Sequence, residues 1–150
     1  MRKLLLIVMT AFLALGGLFV LTAPLASAAP RTVLGQKNLF PGGIGWGTAR
    51  PKMIFNGGDP SGMVSKIRWS NWGSKTAFGR GQGAAFKPGG GYYAKPIQVQ
   101  LKASKIGHTK NGRAYKHLTA RFQKRPGGPW TKWSGWLSLR DVGFTGRITR

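Results

Sequence analysis

The sequence predicts an all-β fold, a small antiparallel sandwich or partly closed barrel that follows a cleaved N-terminal signal peptide. Three observations carry this. Apolar and polar residues alternate with the two-residue period of strands in Met63–Gly83 and from Ile97 onward. Asn111-Gly112 stands between two alternating runs, the strongest short-range signal for a hairpin. After residue 28 no stretch combines a helical period with a capping pattern, whereas Gly and Pro punctuate the chain throughout.

Residues 1–28 read as a secretory signal peptide. Arg2 and Lys3 precede an apolar run from Leu4 to Leu21, and Ala26-Ser27-Ala28 gives a small-x-small cleavage site. Residues 29–50 lack a lasting period and read as an irregular N-terminal arm, with Leu39, Phe40, Ile44 and Trp46 as apolar anchors. Residues 51–150 form one β domain. It opens on a short strand at Pro51–Phe55, where a proline without an N–H is tolerated at the strand start. Asp59-Pro60-Ser61-Gly62 then has the residue order of a type I turn. Asp59 draws a catalytic reading because acids are scarce, but an Asp before Pro is placed to close such a turn with its own side chain.

The organising stretch is Met63–Gly83. Ser65, Ile67 and Trp69 fall on one face and Val64, Lys66 and Arg68 on the other; a loop spans Ser70–Lys75. The returning strand turns Ala77, Gly79, Gly81 and Gly83 one way and Phe78, Arg80 and Gln82 the other. A face made of glycine must be covered by something large, and Trp69 or Ile67 on the partner strand can lie across it. Pro88-Gly89-Gly90-Gly91 connects onward to Tyr92 and Tyr93.

From Ile97, residues Ile97, Val99, Leu101 and Ala103 point inward and Gln98, Gln100, Lys102 and Ser104 outward. A two-residue Asn111-Gly112 loop would set Leu101 opposite Phe122 and Ala103 opposite Ala120, all inward. It would also set Lys105 opposite Leu118, which requires a bulge or twist near Ser104–Gly107, and Lys102 opposite Arg121, a like-charge pair on the outer face. His108 would then face Tyr115, and His117 Ile106. Two separated histidines without a nearby acid read as sheet residues, not metal ligands or general bases. Arg125-Pro126-Gly127-Gly128-Pro129 is a turn leading into Trp130, Trp133 and Trp136, spaced for neither helix nor strand, so an edge strand bulged near Gly135 is expected. Arg140, Asp141, Phe144, Arg147 and Arg150 close the chain, where a last strand is expected.

Charge dominates the composition. The chain carries 24 Lys and Arg against two Asp and no Glu, a formal charge of +22. Loss of Arg2 and Lys3 with the signal peptide leaves +20 from side chains. Such a chain repels itself, so anions from outside should bind and stabilise it. A surface kept only for solubility would carry mixed charges. The absence of cysteine excludes disulfide staples and thiolate metal sites.

The motif Ile67-x-Trp69-x-x-Trp72-Gly73-x-x-x-Ala77-x-Gly79-x-Gly81, followed by Pro96-Ile97-Gln98-Val99-Gln100-Leu101 and by Gly112-Arg113-Ala114-Tyr115-x-x-Leu118-Thr119, resembles a group of uncharacterised secreted proteins of actinobacteria. The likeness covers residues 63–122. It implies a small extracellular β-domain and carries no catalytic residues across. This chain departs from the group in Ala84–Gly91, where a cysteine pair is common in its members and absent here, and in its much higher positive charge.

These features lead to a protein that is secreted, extracellular or cell-wall associated, and that binds extracellular polyanions: anionic cell-wall polymer, nucleic acid or acidic polysaccharide. The expected contacts are Lys66, Arg68, Arg80, Lys102, Lys110, Arg113, Arg121 and Lys132 for charge neutralisation, with Trp72, Trp130 and Trp133 for stacking or cation–π contact. Trp69 and Trp136 are expected in the core. No cofactor, metal or catalytic residue is implied. The alternatives are a module for neutral glycans of the cell wall, with tryptophans stacked on sugar rings, and a membrane-active cationic antimicrobial protein, which would require an amphipathic helix or a large apolar patch. An enzyme is not expected: the chain has no carboxylate pair, thiol, G-x-S-x-G elbow, H-E-x-x-H or nucleotide-binding loop.

Overall fold

The computed structural model describes residues 31–109 and 112–138, with side chains through Gly135. The signal peptide, Lys110, Asn111, the side chain of Trp136 and the expected last strand beyond Ser138 lie outside the described residues. Seven strands are described: β1 (Thr32–Leu34), β2 (Ile54–Phe55), β3 (Met63–Ser70), β4 (Thr76–Gly83), β5 (Ile97–Thr109), β6 (Gly112–Phe122) and β7 (Ser134–Ser138). They form one sheet in the order β1-β6-β5-β4-β3-β2, with β7 also paired to β6. The sheet curls strongly into a half-barrel, so the fold is all-β and of the partly closed kind. Among the described residues the only helical turn is a 3-10 turn at Pro60–Gly62.

Each pairing is antiparallel except β1 with β6, which is parallel. The stretch read as irregular therefore supplies a strand, too short at three residues to show a period. The segment after it packs Leu39, Phe40 and Trp46 into the core, while Ile44 pairs with Phe55 and stays half exposed.

The core lines one face of the sheet. Val64, Ile67, Ala77, Ile97, Val99, Leu101, Ala103, Leu118 and Ala120 are buried there with Leu34, Ile54 and Tyr115. The glycines of β4 are covered as expected. Gly79 lies opposite Trp69, and a Cβ on it would sit 3.1 Å from the indole. A Cβ on Gly81 would sit 2.7 Å from Val64 Cγ1 and 3.1 Å from Ile67 Cγ1. A strand stripped of side chains thus admits the large residues of its neighbour.

Three local readings are corrected. In β3 the alternation breaks at Lys66, whose φ is 52°, and the register to β4 shifts between Ser65 and Arg68. This bulge brings both Val64 and Ile67 inward and leaves Ser65, Lys66 and Arg68 outside. The β5–β6 register differs by two residues from the one expected, with Leu101 opposite Ala120 and Ala103 opposite Leu118. The closing pair is Thr109 with Gly112, so Gly112, at φ 118°, ends the strand and does not sit inside the loop. A slip of two preserves which residues face the core, so the hydrophobic pattern fits either register equally well. His108 consequently faces Arg113, and His117 faces Ser104. The bulge expected beside Gly135 does occur, as the β6–β7 register shifts between Leu118 and Thr119. Near Ser104–Gly107 the expected bulge is absent: the register is the same at Ser104–His117 and at Ile106–Tyr115, and Lys105, with φ 56°, is passed over without an inserted residue.

Candidate functional site

The β5–β6 register decides which cations meet. Lys102 faces Thr119, not Arg121, so the expected Lys102–Arg121 pair does not form. Arg121 lies opposite Gln100, Gln100 opposite Arg80, and Arg80 opposite Arg68. Four adjacent strands therefore present one row, Arg68-Arg80-Gln100-Arg121, across the outer face. Arg68 and Arg80 are exposed and directly opposed, a like-charge pair that a free sheet disfavours. The row lines an open groove of about 750 Å³, with Phe78 and Trp133 on its walls.

Arg121 is held from three sides. Its Nε donates to Gln100 Oε1 at 2.8 Å, and its guanidinium carbon lies 5.2 Å from the Trp130 ring centroid and 5.1 Å from that of Trp133. Each cation–π contact at such a site contributes about 0.5–1 kcal/mol. The backbone brings the two tryptophans there. Gly128 N–H donates to Arg125 C=O in a tight turn, Lys124 N–H to Pro129 C=O, and Thr131 N–H to Phe122 C=O, so residues 129–133 double back along the end of β6. Thr131 Oγ1 completes the return by accepting from Phe122 N–H at 3.0 Å.

The remaining expected contacts are dispersed. Lys102 is exposed one residue pair along from Gln100, between Phe78 of β4 and Thr119 of β6. Lys132 is exposed between the two tryptophans in sequence. Lys66 lines a separate recess of about 320 Å³ with Gln82 and Tyr93. Arg113 sits at the other end of β6, facing His108 and Thr32. Trp72 belongs to the packing and not to the groove. Its Nε1 donates to Thr32 C=O at 2.9 Å, and its ring meets Trp69 and Tyr115 edge-on at 4.8 and 5.1 Å. Tyr115 completes that plug, its hydroxyl donating to Ser74 C=O and accepting from Gly73 N–H, both at 2.8 Å.

Two groove residues, Gln100 and Phe78, escaped the sequence reading although the alternation placed both on the outer face. A second basic recess, about 400 Å³, was also missed: Lys87, Lys124 and Arg125 gather there around Phe86 and Tyr93. Its parts come from the glycine loop and from the turn after β6, which no periodicity links.

Asp59 acts as the turn residue expected. Its carboxylate accepts from Ser61 N–H at 2.7 Å and from the Tyr92 hydroxyl. The Tyr92 hydrogen bond first, then those from Ser61, hold it below the usual carboxylate range. It does not line the arginine groove. Among the described residues no three His, Cys, Asp or Glu side chains gather as a metal site would require. Nor is any helix there long and apolar enough to cross a membrane. Comparison of the chain with protein-family models, with characterised proteins and with solved structures finds no match.

Proposed function

We propose that the protein is a secreted, strongly cationic β-domain that binds extracellular polyanions by charge neutralisation and aromatic contact, without catalysis. The observation that carries this reading is the row Arg68-Arg80-Gln100-Arg121, with Arg121 stacked between Trp130 and Trp133. A guanidinium locked in orientation loses less freedom on binding an oxyanion and offers a planar donor fork to it. Two opposed arginines whose groove is lined by no carboxylate among the described residues gain from an anion laid between them.

The reading as a neutral-glycan module ranks second. Trp133 is 42% exposed, as sugar stacking requires, but the ring faces that Trp130 and Trp133 turn toward Arg121 are already occupied. A salt series with a labelled single-stranded oligonucleotide and an anionic wall polymer tests the choice. Three arginines neutralising three phosphates on a single strand give a slope of log K on log salt near −2, at about 0.7 per phosphate. Binding indifferent to salt would remove the charge from the working surface and leave the glycan reading.

A further inference from the structure

We infer that the polyanion of the arginine groove is a single-stranded nucleic acid that crosses the strands, its phosphates along Arg68, Arg80 and Arg121 and its bases on Phe78 and Trp133. This rests on the polyanion reading and narrows it to one class of ligand.

The row runs perpendicular to the strands. At about 4.7–4.9 Å per strand it extends roughly 14 Å from Arg68 to Arg121, so a linear polymer meets three guanidinium groups in succession. Charge alone would suit any polyanion. The walls are more selective, because Phe78 is 44% and Trp133 42% exposed, two large rings left bare beside the cations. Phe78 precedes Arg80 by two residues on the same face of β4, one step of about 7 Å along the strand. Rings bare beside a cationic track suit a ligand that alternates phosphate with a flat apolar face. An alditol-phosphate wall polymer has the charges without the flat faces. A duplex has both, but its base faces are covered by stacking. The single strand satisfies both parts of the groove, and a base on the outer face of Trp133 would extend the stack that already holds Arg121 between Trp130 and Trp133.

The test measures fluorescence anisotropy of the purified protein with four probes matched in charge: oligo-dT, an abasic deoxyribose-phosphate oligomer of the same length, a duplex, and a glycerol-phosphate wall polymer. Oligo-dT should bind at least tenfold tighter than the abasic oligomer, with the same salt slope. Phe78→Ala, which removes an exposed ring that holds none of the arginines, should weaken oligo-dT binding about tenfold, as the loss of one stacked base does, and change binding of the abasic oligomer far less. The first comparison needs no variant, so it stands whatever the substitution does to folding. Equal affinity for oligo-dT and the abasic oligomer, both falling with salt, overturns the nucleic-acid inference while leaving polyanion binding intact. The inference is overturned equally if the duplex binds as tightly as oligo-dT or the wall polymer binds more tightly than it. If none of the four binds, the polyanion reading falls as well.

Discussion

Replacing Arg80 by Gln should move stability and binding in opposite directions. Arg80 is the middle cation of the row, with Arg68 opposite on β3 and Gln100 opposite on β5. Opposed residues in an antiparallel pair have Cβ atoms about 5 Å apart. Two charges held at that distance in water repel by about 0.8 kcal/mol, and screening at 0.1 M salt lowers this to about 0.5 kcal/mol. Glutamine keeps most of the length and the hydrogen-bonding capacity while removing the charge. Because the two exposed guanidinium groups can splay beyond the Cβ separation, this is an upper bound: the free protein should gain up to about 0.5 kcal/mol at 0.1 M salt, seen as a rise in Tm of up to about 2 °C that fades as more salt is added. Binding should weaken on every single-stranded probe alike. Its salt slope should fall from about −2.1 to about −1.4, because two phosphates are neutralised in place of three. Scanning calorimetry and anisotropy titrations on the same preparation read both quantities. Arg113→Gln is the matched control: it removes one charge at the far end of β6 and should leave the slope unchanged. A Tm that falls in Arg80→Gln, or a slope that Arg113→Gln lowers as much, would refute the assignment of the row.

Two further substitutions probe the fold. Gly81→Ala should cost about 1–3 kcal/mol, because the new methyl would lie 2.7 Å from Val64 Cγ1 and 2.8 Å from the Ser65 carbonyl oxygen. Gly79→Ala, whose methyl would come no nearer than 3.1 Å to the Trp69 ring and 3.2 Å to Leu101 Cβ, with no backbone atom closer than these, should cost less; urea midpoints in the reverse order would remove the close approach as the reason for these glycines. Tyr115→Phe leaves Gly73 N–H and Ser74 C=O without their partner and should cost about 1–3 kcal/mol. Burial pushes the Tyr115 phenol above its ordinary value of 10.0, while the Gly73 N–H and the Arg113 charge pull it back. With the folded pKa above the unfolded one, its contribution is complete below pH 10.0 and is lost as pH rises through the folded value. Wild-type stability should therefore fall more steeply than that of Tyr115→Phe above pH 10.0; parallel alkaline profiles would contradict a buried, protonated phenol.

How much of this was legible in the sequence depends on how each feature is encoded. The all-β class and most inward positions could be read, because a sheet with one face in the core writes its period into the chain. Cover for the β4 glycines could be read for the same reason, as a face without side chains demands a large neighbour. The phase of β3 could not. Its reversal depends on one lysine, Lys66, adopting a positive φ, and nothing in a lysine announces that. The β5–β6 register was misplaced by an even number of residues, the one error the hydrophobic pattern cannot reveal. The same limit governed the candidate site. Alternation set Arg68, Arg80 and Arg121 on outer faces, but their meeting in one row is a property of three registers together, and so is the place of Gln100 between them. Trp72, expected from the sequence to stack on a ligand, instead reaches back forty residues with its indole N–H to Thr32 and packs against Trp69 and Tyr115, long-range contacts that no local pattern encodes.

The charge that builds the groove also bears on the stability of the whole domain. Asp59 is the one acid between Arg31 and Ser138, and hydrogen bonds from Tyr92 and Ser61 keep it at the 3-10 turn, away from the arginine row. Packing must then hold together a sheet whose outer cations repel, and the core answers with aromatic rings whose polar atoms are tied to backbone groups: Trp46 to Phe55, Trp69 to Pro51, Trp72 to Thr32 and Tyr115 to Ser74. These bonds tie the N-terminal segment to β2 and β3, β1 to the β3–β4 loop, and that loop to β6, so they resist the splaying that repulsion favours. An anion bound only by the folded sheet adds stability as its concentration exceeds the dissociation constant, about 2.7 kcal/mol at a hundredfold excess. If the row takes the anion proposed for it, binding and folding are linked through the same three arginines, and heating the protein with and without a polyanion should show a rise in Tm that Arg80→Gln diminishes.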